Sequence, residues 1–182
     1  PSTLIEAELF GYAKGAFTGA VKDKRGIIEE ADTGTLFLDE IGNISSEMQT
    51  RLLRVLETGD FRAVGQIDQK RVDIRVIAAT NADLKQKVRE GKFREDLFYR
   101  LKVITVEIPP LRERKEDIIG LAKIFLDEFS GKTGKKISEF EKEAVDMLMA
   151  HSWPGNVREL KNVIESAVVL SRDEVMTPDV IH

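Results

Sequence analysis

The sequence predicts an α/β domain built on a parallel sheet, followed by a smaller domain made of helices. Three observations lead to this prediction. In the first half of the chain, short apolar runs alternate with stretches of helical periodicity, the pattern of a parallel sheet with its helices. Consecutive prolines, Pro109 and Pro110, can continue neither a helix nor a strand ladder. After them the periodicity is helical, so we expect an α/β domain over residues 1–108 and a helical domain over residues 109–182.

Three apolar runs are the strand candidates of the first domain. Thr35–Asp39 (TLFLD) is an apolar run that ends in an acid, and Ile74–Thr80 and Val103–Ile108 are two further buried-strand candidates. The segment Phe61–Val72 contains residues that break a strand, so we expect a loop or a hairpin there.

Four stretches have the spacing of amphipathic helices. Ser45 and Ser46 open the first and Gly59 closes it, because serine caps helix N-termini and glycine ends helices. The other three lie in the second domain: Glu116–Ser130, a helix that follows a capping box of Ser138 and Glu141, and Asn156–Ser171.

The composition is that of an ordinary globular protein and excludes several kinds of site. A net charge of −4 disfavours duplex DNA as the direct ligand, because neutralising phosphates requires a basic surplus. The chain has no cysteine, and its two histidines, His151 and His182, are too far apart to form a metal cluster. No stretch approaches the ~18 apolar residues of a membrane span. We therefore expect a cytoplasmic protein without a membrane partner.

Two consecutive acids follow the first strand candidate. Acids at the carboxyl end of a strand lie in the crevice where open α/β sheets bind ligands. Asp39 can hold Mg²⁺, which favours hard oxygen ligands, and Glu40 can polarise a water for attack on a phosphoryl group. This is the Walker-B arrangement of nucleotide hydrolases. The alternative, a strand that happens to run into a solvated acidic turn, remains open on these residues alone.

A glycine-flanked loop presents an aromatic residue near the start of the chain. It is not a phosphate-binding loop, because no Lys-Ser or Lys-Thr pair follows it. It is not a membrane-dimer motif either, because charged residues surround it. An exposed Phe-Thr pair between glycines favours a binding loop over a plain surface loop. The candidate binding residues are Gly15, Ala16, Phe17, Thr18, Gly19 and Ala20.

Three sequence signatures, in the same order, resemble those of one family. Gly15–Ala20 reads GAFTGA, Gly26–Ile41 reads GIIEEADTGTLFLDEI, and Trp153–Leu160 reads WPGNVREL. The chain is similar over essentially its whole length to the central domain of NtrC-type, sigma-54-dependent transcription activators. The resemblance implies a P-loop AAA+ parallel-sheet core followed by an α-helical lid.

The resemblance also implies an activity and partners. It implies an ATPase that binds ATP and Mg²⁺, assembles with itself into a ring of six or seven subunits, and contacts the sigma-54 factor of RNA polymerase. Phe17 and Thr18 are the implied contact pair, and Phe61–Val72 resembles a second loop that moves with the first. Contact with DNA would occur through a domain absent from this chain, and an upstream two-component receiver remains one option.

Four further residues receive roles from the resemblance. Asn81 resembles the polar residue that senses the γ-phosphate, although an asparagine after a strand also suits a plain turn. Arg94 and Arg100 resemble arginines that reach the nucleotide of a neighbouring subunit; surface ion pairs with nearby acids are the alternative. Arg158 resembles the lid arginine that touches the phosphates from its own subunit, and a surface ion pair is again the alternative.

The sequence departs from the family pattern in two places. Thr33 stands where the family usually has a glycine. More seriously, no G-x-x-x-x-G-K-[ST] motif occurs in residues 1–182. We therefore expect the phosphate loop, with the first strand and helix of the core, to lie upstream in a longer parent protein. A non-catalytic module that contacts sigma-54 is the alternative function for the chain by itself.

Overall fold

The computed structural model of the chain describes residues 2–181, with side chains from residue 4 onward. His182, one of the two histidines considered above, lies outside the described residues. The chain divides into two compact units, residues 1–105 and residues 106–182.

The first unit mixes helices with short strands. In chain order the elements are α1 (Ser2–Phe10), β1 (Gly11–Tyr12), β2 (Lys24–Arg25), α2 (Ile27–Glu30), β3 (Thr35–Leu38), α3 (Ser46–Thr58), β4 (Asp60–Phe61), β5 (Lys70–Arg71), β6 (Arg75–Ala78), α4 (Leu84–Arg89) and α5 (Glu95–Leu101). Residues of α1, α2 and α3 pack against Leu36 of a parallel strand pair, β3 and β6. The remaining strands form small antiparallel pairs that support loops.

Strands β3 and β6 form the parallel pair that the sequence predicts. Thr35 pairs with Arg75 and Leu38 with Ala78, so both strands end at the same edge. Leu36 is buried in the core, whereas Phe37 on the opposite face is 59% exposed. The strand pair therefore places the residues that follow Leu38 and Ala78 beside one another.

Helix α3 has the ends that the sequence predicts. The Ser45 side chain accepts a hydrogen bond from the Met48 amide, and Gly59 ends the helix in the left-handed conformation. Met48, Leu52 and Val55 are buried along its inner face. The helix therefore links the end of β3 to the β4–β5 pair. Of the two structures considered for Phe61–Val72, a loop or a hairpin, the chain forms the hairpin.

Two strand predictions in the first unit are wrong in part or in full. Val103–Ile108 forms no strand in the described chain, and Ile104 is 82% exposed. It has the alternation of a strand, but a strand forms only when another backbone accepts its hydrogen bonds. Ile74–Thr80 contains β6, but β6 is not buried as predicted, because burial on both faces requires a packed layer on each side.

The second unit is helical, as predicted. Its helices pack around a core that includes Leu126, Leu148, Trp153, Leu160 and Ile164, all buried. In chain order its elements are α6 (Glu116–Thr133), β7 (Glu139–Phe140), α7 (Lys142–Ala150), α8 (Asn156–Leu170) and β8 (Val175–Met176), with short 3-10 turns at Leu111–Glu113 and Pro178–Val180.

The start of α7 differs from the prediction. The capping box of Ser138 and Glu141 does not form, because Glu139 and Phe140 pair with Val175 and Met176 as a strand. The Glu141 backbone amide donates to the Met176 carbonyl, and the helix begins after it. Long-range strand pairing thus overrides the local capping signal.

Candidate functional site

The two acids predicted as a catalytic pair lie at the carboxyl end of β3. The Glu40 backbone amide donates to Asp39 Oδ1 at 2.9 Å, so one carboxylate oxygen of Asp39 is engaged. Asp39 Oδ2 has no hydrogen-bond partner among the residues that the structure describes. Both side chains are exposed at the edge where β3 and β6 end together. Such an edge is where open α/β sheets place ligands.

Glu40 is held in an unusual backbone conformation. Its φ of 54° lies in the left-handed region, which a non-glycine residue enters at a cost. Asn43 Nδ2 donates to Glu40 Oε2 at 3.1 Å, and the Ile41 amide donates to the Ala79 carbonyl at 3.0 Å. These bonds fix the turn and hold the Glu40 carboxylate beside Asn43. Strain of this kind is typical of functional sites.

Asn81 lies three residues after the end of β6, whereas Asp39 directly follows β3. The Ala79 amide donates to the Leu38 carbonyl at 2.8 Å, so the ladder continues to the residues before Asn81. The hydroxyl of Thr80, not the amide of Asn81, accepts the turn bond, from the Ala82 amide at 3.1 Å. The Asn81 side chain is exposed and is left available for a ligand at the same sheet edge.

The acids suit a Mg²⁺ ion that is shared with phosphate oxygens. Mg²⁺ usually binds through one or two carboxylates and completes its shell with water and phosphate oxygens. Among the described residues, no group of three or more His, Asp or Glu side chains could hold a metal. Asp39 therefore fits as one ligand of a shared ion. The sequence lacks the glycine-rich motif that would cradle the other phosphates of a nucleotide.

Arg94 lies at the N-cap of α5 and is paired with an acid on the same turn. Its Nε and Nη2 atoms bond to the two carboxylate oxygens of Asp96 at 3.0 and 2.6 Å. This charge-assisted fork raises the pKa of Arg94 and lowers the pKa of Asp96. Both side chains are exposed, so the guanidinium can exchange this partner for an anion. Of the two acids that follow Arg94, Glu95 and Asp96, it is Asp96 that pairs with it.

Arg100 lies in the last turn of α5 and points back onto α3. Its Nε and Nη2 atoms donate to the Leu56 carbonyl at 3.1 and 2.6 Å. The contact places a cation on the negative C-terminal end of α3. Arg94 and Arg100 thus have different partners at opposite ends of one short helix.

Arg158 lies in the first turn of α8 and is exposed. It forms no ion pair with any acid that the structure describes, so the alternative of a surface pair has no support. Its neighbours in the WPGNVREL signature build the helix start. Trp153 Nε1 donates to the Leu148 carbonyl, and Asn156 Oδ1 accepts from the Leu111 amide at 2.8 Å. Glu159 Oε2 accepts from the Gly155 amide at 2.7 Å.

The loop from Gly15 to Ala20 is closed on itself and leaves its tip exposed. The Gly15 amide donates to the Ala20 carbonyl at 2.8 Å, and the Ala20 amide donates to the Phe17 carbonyl at 3.0 Å. Gly15 and Gly19 both have positive φ. Phe17 packs edge-on against Tyr12 at 4.9 Å between ring centroids, yet it is 40% exposed. Thr18 is exposed as well, so the tip can bind a partner.

The β4–β5 hairpin braces this loop. The Ala13 amide donates to the Val64 carbonyl, and the Val64 amide donates to the Gly11 carbonyl, both at 2.9 Å. Gly65 has a φ of 77°, and a Cβ added there would lie 2.8 Å from the Ala16 Cβ. A glycine is therefore required for this close approach. The predicted second loop is in direct contact with the first.

Sequence reasoning missed two side chains of α3 that support these groups. Gln49 is buried within the apolar face of the helix, and Arg51 contacts α1 and the hairpin. A glutamine within an apolar stripe was the available signal for the first, since a buried amide needs hydrogen-bond partners. The sequence held no comparable signal for Arg51.

Two family matches together span nearly the whole chain. Residues 1–107 match the sigma-54 interaction domain. Residues 112–182 match the AAA+ ATPase lid domain. No helix in the described part of the chain has the length and apolar character needed to cross a membrane.

Curated relatives and solved structures resemble the chain along its whole length. The Nif-specific regulatory protein of Azotobacter vinelandii is 52% identical over 181 residues, which cover 100% of this chain and 34% of that protein. The DNA-binding transcriptional regulator NtrC of Rhizobium meliloti (strain 1021) is 49% identical over 182 residues, 100% of this chain and 37% of that protein. The crystal structure of NtrX from Brucella abortus in complex with ATP has a TM-score of 0.89 and 37% identity, covering 100% of this chain and 40% of that one. The chain thus spans between 34% and 40% of the length of these three proteins.

Proposed function

The chain belongs to the sigma-54 interaction domain family and has the AAA+ core and lid, and on that premise we propose that the protein carrying it hydrolyses ATP in a ring and remodels the sigma-54 form of RNA polymerase. One observation carries the proposal. Asp39 and Glu40 are exposed at the carboxyl end of β3, beside the end of β6 that leads to Asn81. The complex of NtrX with ATP supports a nucleotide as the ligand.

The proposed chemistry divides among residues at the sheet edge. A bound Mg²⁺ ion would supply charge neutralisation at the phosphates, with Asp39 Oδ2 as its protein ligand. Glu40 accepts the proton of the attacking water through its carboxylate. Asn81 donates from its amide to a phosphate oxygen and orients that water. The strained backbone of Glu40 fixes the direction of its carboxylate before the substrate arrives.

Arginines complete the proposed site from two sides. Arg94 and Arg100 reach the nucleotide of a neighbouring subunit, which makes hydrolysis depend on ring assembly. An arginine supplied in trans is worth ~10³ or more in rate. Arg94 must first leave Asp96, and Arg100 must leave the Leu56 carbonyl; both side chains are exposed, which permits the exchange. Arg158 touches the phosphates from its own subunit, and its exposure without an ion pair among the described residues is consistent with that role.

In the proposed mechanism, the loop from Gly15 to Ala20 couples the reaction to sigma-54. Phe17 and Thr18 form the contact, supported by their exposure at a loop closed by backbone bonds. A partner within RNA polymerase implies the cytoplasm, and DNA contact would use another domain of the parent. The 182 residues hold no glycine-rich phosphate motif, so the proposal concerns the protein that carries this chain and not the chain alone.

The variant Glu40→Gln in the full-length protein tests the proposed chemistry. It keeps the shape of the side chain and its acceptor for Asn43, but it removes the proton acceptor. We expect an ATP affinity close to that of the unmutated protein and a hydrolysis rate lower by about 10²-fold to 10⁴-fold, the usual contribution of a general base. Calorimetry and a phosphate-release assay measure the two quantities.

Normal turnover in Glu40→Gln would assign the base to another residue. A parent protein that binds sigma-54 but does not hydrolyse ATP at all would support the non-catalytic module instead.

A further inference from the structure

Gln49 is a buried amide whose hydrogen-bonding groups all have partners. It lies in the second turn of α3 and is 1% exposed. Its Nε2 donates to the Ile44 carbonyl and to the Lys92 carbonyl, each at 3.1 Å. Its Oε1 accepts from the Arg94 backbone amide at 2.8 Å. A primary amide offers two donors and one acceptor oxygen, so this side chain is matched to its three partners.

Two of these partners flank a single residue, Phe93. The Lys92 carbonyl and the Arg94 amide flank Phe93 at the bend that leads into α5. Gln49 therefore bridges the peptide groups on either side of Phe93. Phe93 itself is buried between α3 and α5. The backbone beneath Arg94 is thus fixed by an amide on one side and an apolar anchor on the other.

The Arg94 side chain contrasts with its backbone. The guanidinium is exposed and bonds to the exposed Asp96 and, at 3.4 Å, to Thr50 Oγ1 of α3, so it can exchange partners. The precision of its placement must then come from the backbone at the start of α5, where Arg94 has extended φ and ψ of −72° and 133°. A misplacement of about 1 Å in a positioning contact costs on the order of 10²-fold in rate.

We propose that Gln49 is a positioning residue that sets the register of Arg94 for its action on a neighbouring subunit. The inference rests on the proposed role of Arg94 in trans. It has a definite rival in the same geometry, because Gln49 also holds the Ile44 carbonyl, four residues after Glu40. If that bond is the one that activity requires, Gln49 positions Glu40 of its own subunit and does not position Arg94.

Mixing experiments with the full-length protein separate these roles. Gln49→Met keeps the approximate volume and removes all three bonds. We expect its ATPase rate to fall about tenfold to a hundredfold, as for a displaced contact group. Mixed with Glu40→Gln subunits, Gln49→Met should recover activity, because some interfaces then join an intact Glu40 to a well-placed Arg94. Mixed with Arg94→Ala subunits, it should recover none, because both partners lack a working arginine.

Two controls address folding. Val55→Ala creates a small cavity elsewhere in α3 without touching residues 92–94, and it should keep its ATPase rate. Gln49→Glu keeps an acceptor for the Arg94 amide but cannot donate to the two carbonyls. It should be recovered by the same partner as Gln49→Met, with a larger initial loss, because a buried carboxylate would face two carbonyl oxygens. Melting curves and ring assembly are recorded for each variant.

The outcomes distinguish this inference from the function on which it rests. Arg94→Ala mixed with Glu40→Gln is the reference, and failure of that mixture to recover activity, with hetero-oligomers present, contradicts the trans role itself. If the reference recovers but Gln49→Met is rescued by Arg94→Ala and not by Glu40→Gln, Gln49 serves its own subunit's acid. Full activity of Gln49→Met alone also overturns the inference.

Discussion

Thr33 and Glu40 both adopt the left-handed backbone conformation, with φ of 62° and 54°. At Glu40 the strain lies at the proposed catalytic acid, where it directs the carboxylate. At Thr33 no comparable role is evident, since its side chain is exposed and its turn is held through the backbone amides of Thr33 and Asp73, which donate to Asp32 Oδ1. The Thr33 amide donates to the Asp73 carbonyl at 2.8 Å, and any residue could donate this bond. The resemblance already marked position 33 as one where glycine is usual.

Thr33→Gly is therefore expected to stabilise the protein. A side chain in the left-handed region costs about 1–2 kcal/mol, and glycine gives back about 0.5–1 kcal/mol through its freer unfolded chain. The expected net gain is about 0.5–1 kcal/mol in the free energy of unfolding, measured by urea denaturation. Thr35→Gly, in the extended strand β3, is the matched control and should destabilise. A loss of stability in Thr33→Gly would mean that the threonine side chain makes a stabilising contact.

Glu29 makes the stability of the loop-bearing region depend on pH. Lys70 donates to Glu29 Oε2 at 2.7 Å, and Arg25 adds a second cation, so the pKa of Glu29 lies below its usual value. A lowered folded-state pKa contributes stability that is present above the unfolded pKa and is lost as the pH falls through the folded pKa. Acidification below about pH 4.5 should therefore weaken the tie between α2 and the hairpin.

Glu29→Gln tests this linkage. The variant should be less stable than the parent at neutral pH, and its stability should fall less between about pH 5 and pH 3. Glu30→Gln, the adjacent acid without an ion pair among the described residues, is the control and should follow the parent curve. Parallel curves for the parent and Glu29→Gln would show that the pair contributes nothing to the pH dependence.

At the scale of elements, α3 supports several of the groups that the proposed function uses. It follows the acids of β3, it holds Arg94 through Gln49, and its Leu56 carbonyl binds Arg100. On another face, Arg51 Nη1 bonds to Glu6 of α1 at 2.6 Å, and Arg51 Nη2 donates to the Arg62 carbonyl of the hairpin. The Arg51 guanidinium also lies 4.0 Å from the ring centre of Phe10.

Arg51→Met is expected to separate hydrolysis from its output. The variant keeps the apolar stem but loses its bonds to α1 and to the β4–β5 hairpin, which braces the loop of residues 15–20. We expect the ratio of sigma-54-dependent promoter opening to ATP turnover to fall about tenfold, the loss of roughly 1.4 kcal/mol of coupling. Arg51→Lys keeps the charge beside Glu6, so its ratio of promoter opening to ATP turnover should lie between those of the unmutated protein and Arg51→Met. Arg89→Met, an exposed arginine of α4, is the control; an unchanged ratio in Arg51→Met would exclude this route of coupling.

Elements whose signals are local were predictable from the sequence. The serine cap and the terminal glycine predicted the two ends of α3, and the apolar stripe predicted the buried face of α8. Elements that depend on distant pairing were not. Val103–Ile108 has the pattern of a strand but no pairing partner in the described chain, and the Ser138–Glu141 capping signal gave way to pairing with Val175 and Met176.

At the scale of the whole molecule, the sequence predicted the chemical groups better than their supports. Asp39, Glu40 and Asn81 follow the two paired strands, as their positions after apolar runs indicated. The bond from Gln49 to Arg94 and that from Arg51 to Arg62 join residues far apart in the chain. Spacing within a segment carries no information on such contacts. The roles of Arg94, Arg100 and Arg158 depend on a neighbouring subunit or a nucleotide and stay predictions.

We propose that the loop Gly15–Ala20 transmits the work of hydrolysis to sigma-54 without taking part in hydrolysis. Thr18→Ala in the full-length protein tests it most directly, because the Thr18 side chain has no hydrogen bond within the described residues. ATP turnover and promoter opening by sigma-54 RNA polymerase are measured on the same preparation. We predict nearly unchanged turnover and promoter opening reduced about tenfold or more, the effect of losing one interfacial hydrogen bond of about 1.4 kcal/mol. An equal collapse of both rates would contradict the claim and make the loop part of the catalytic machinery.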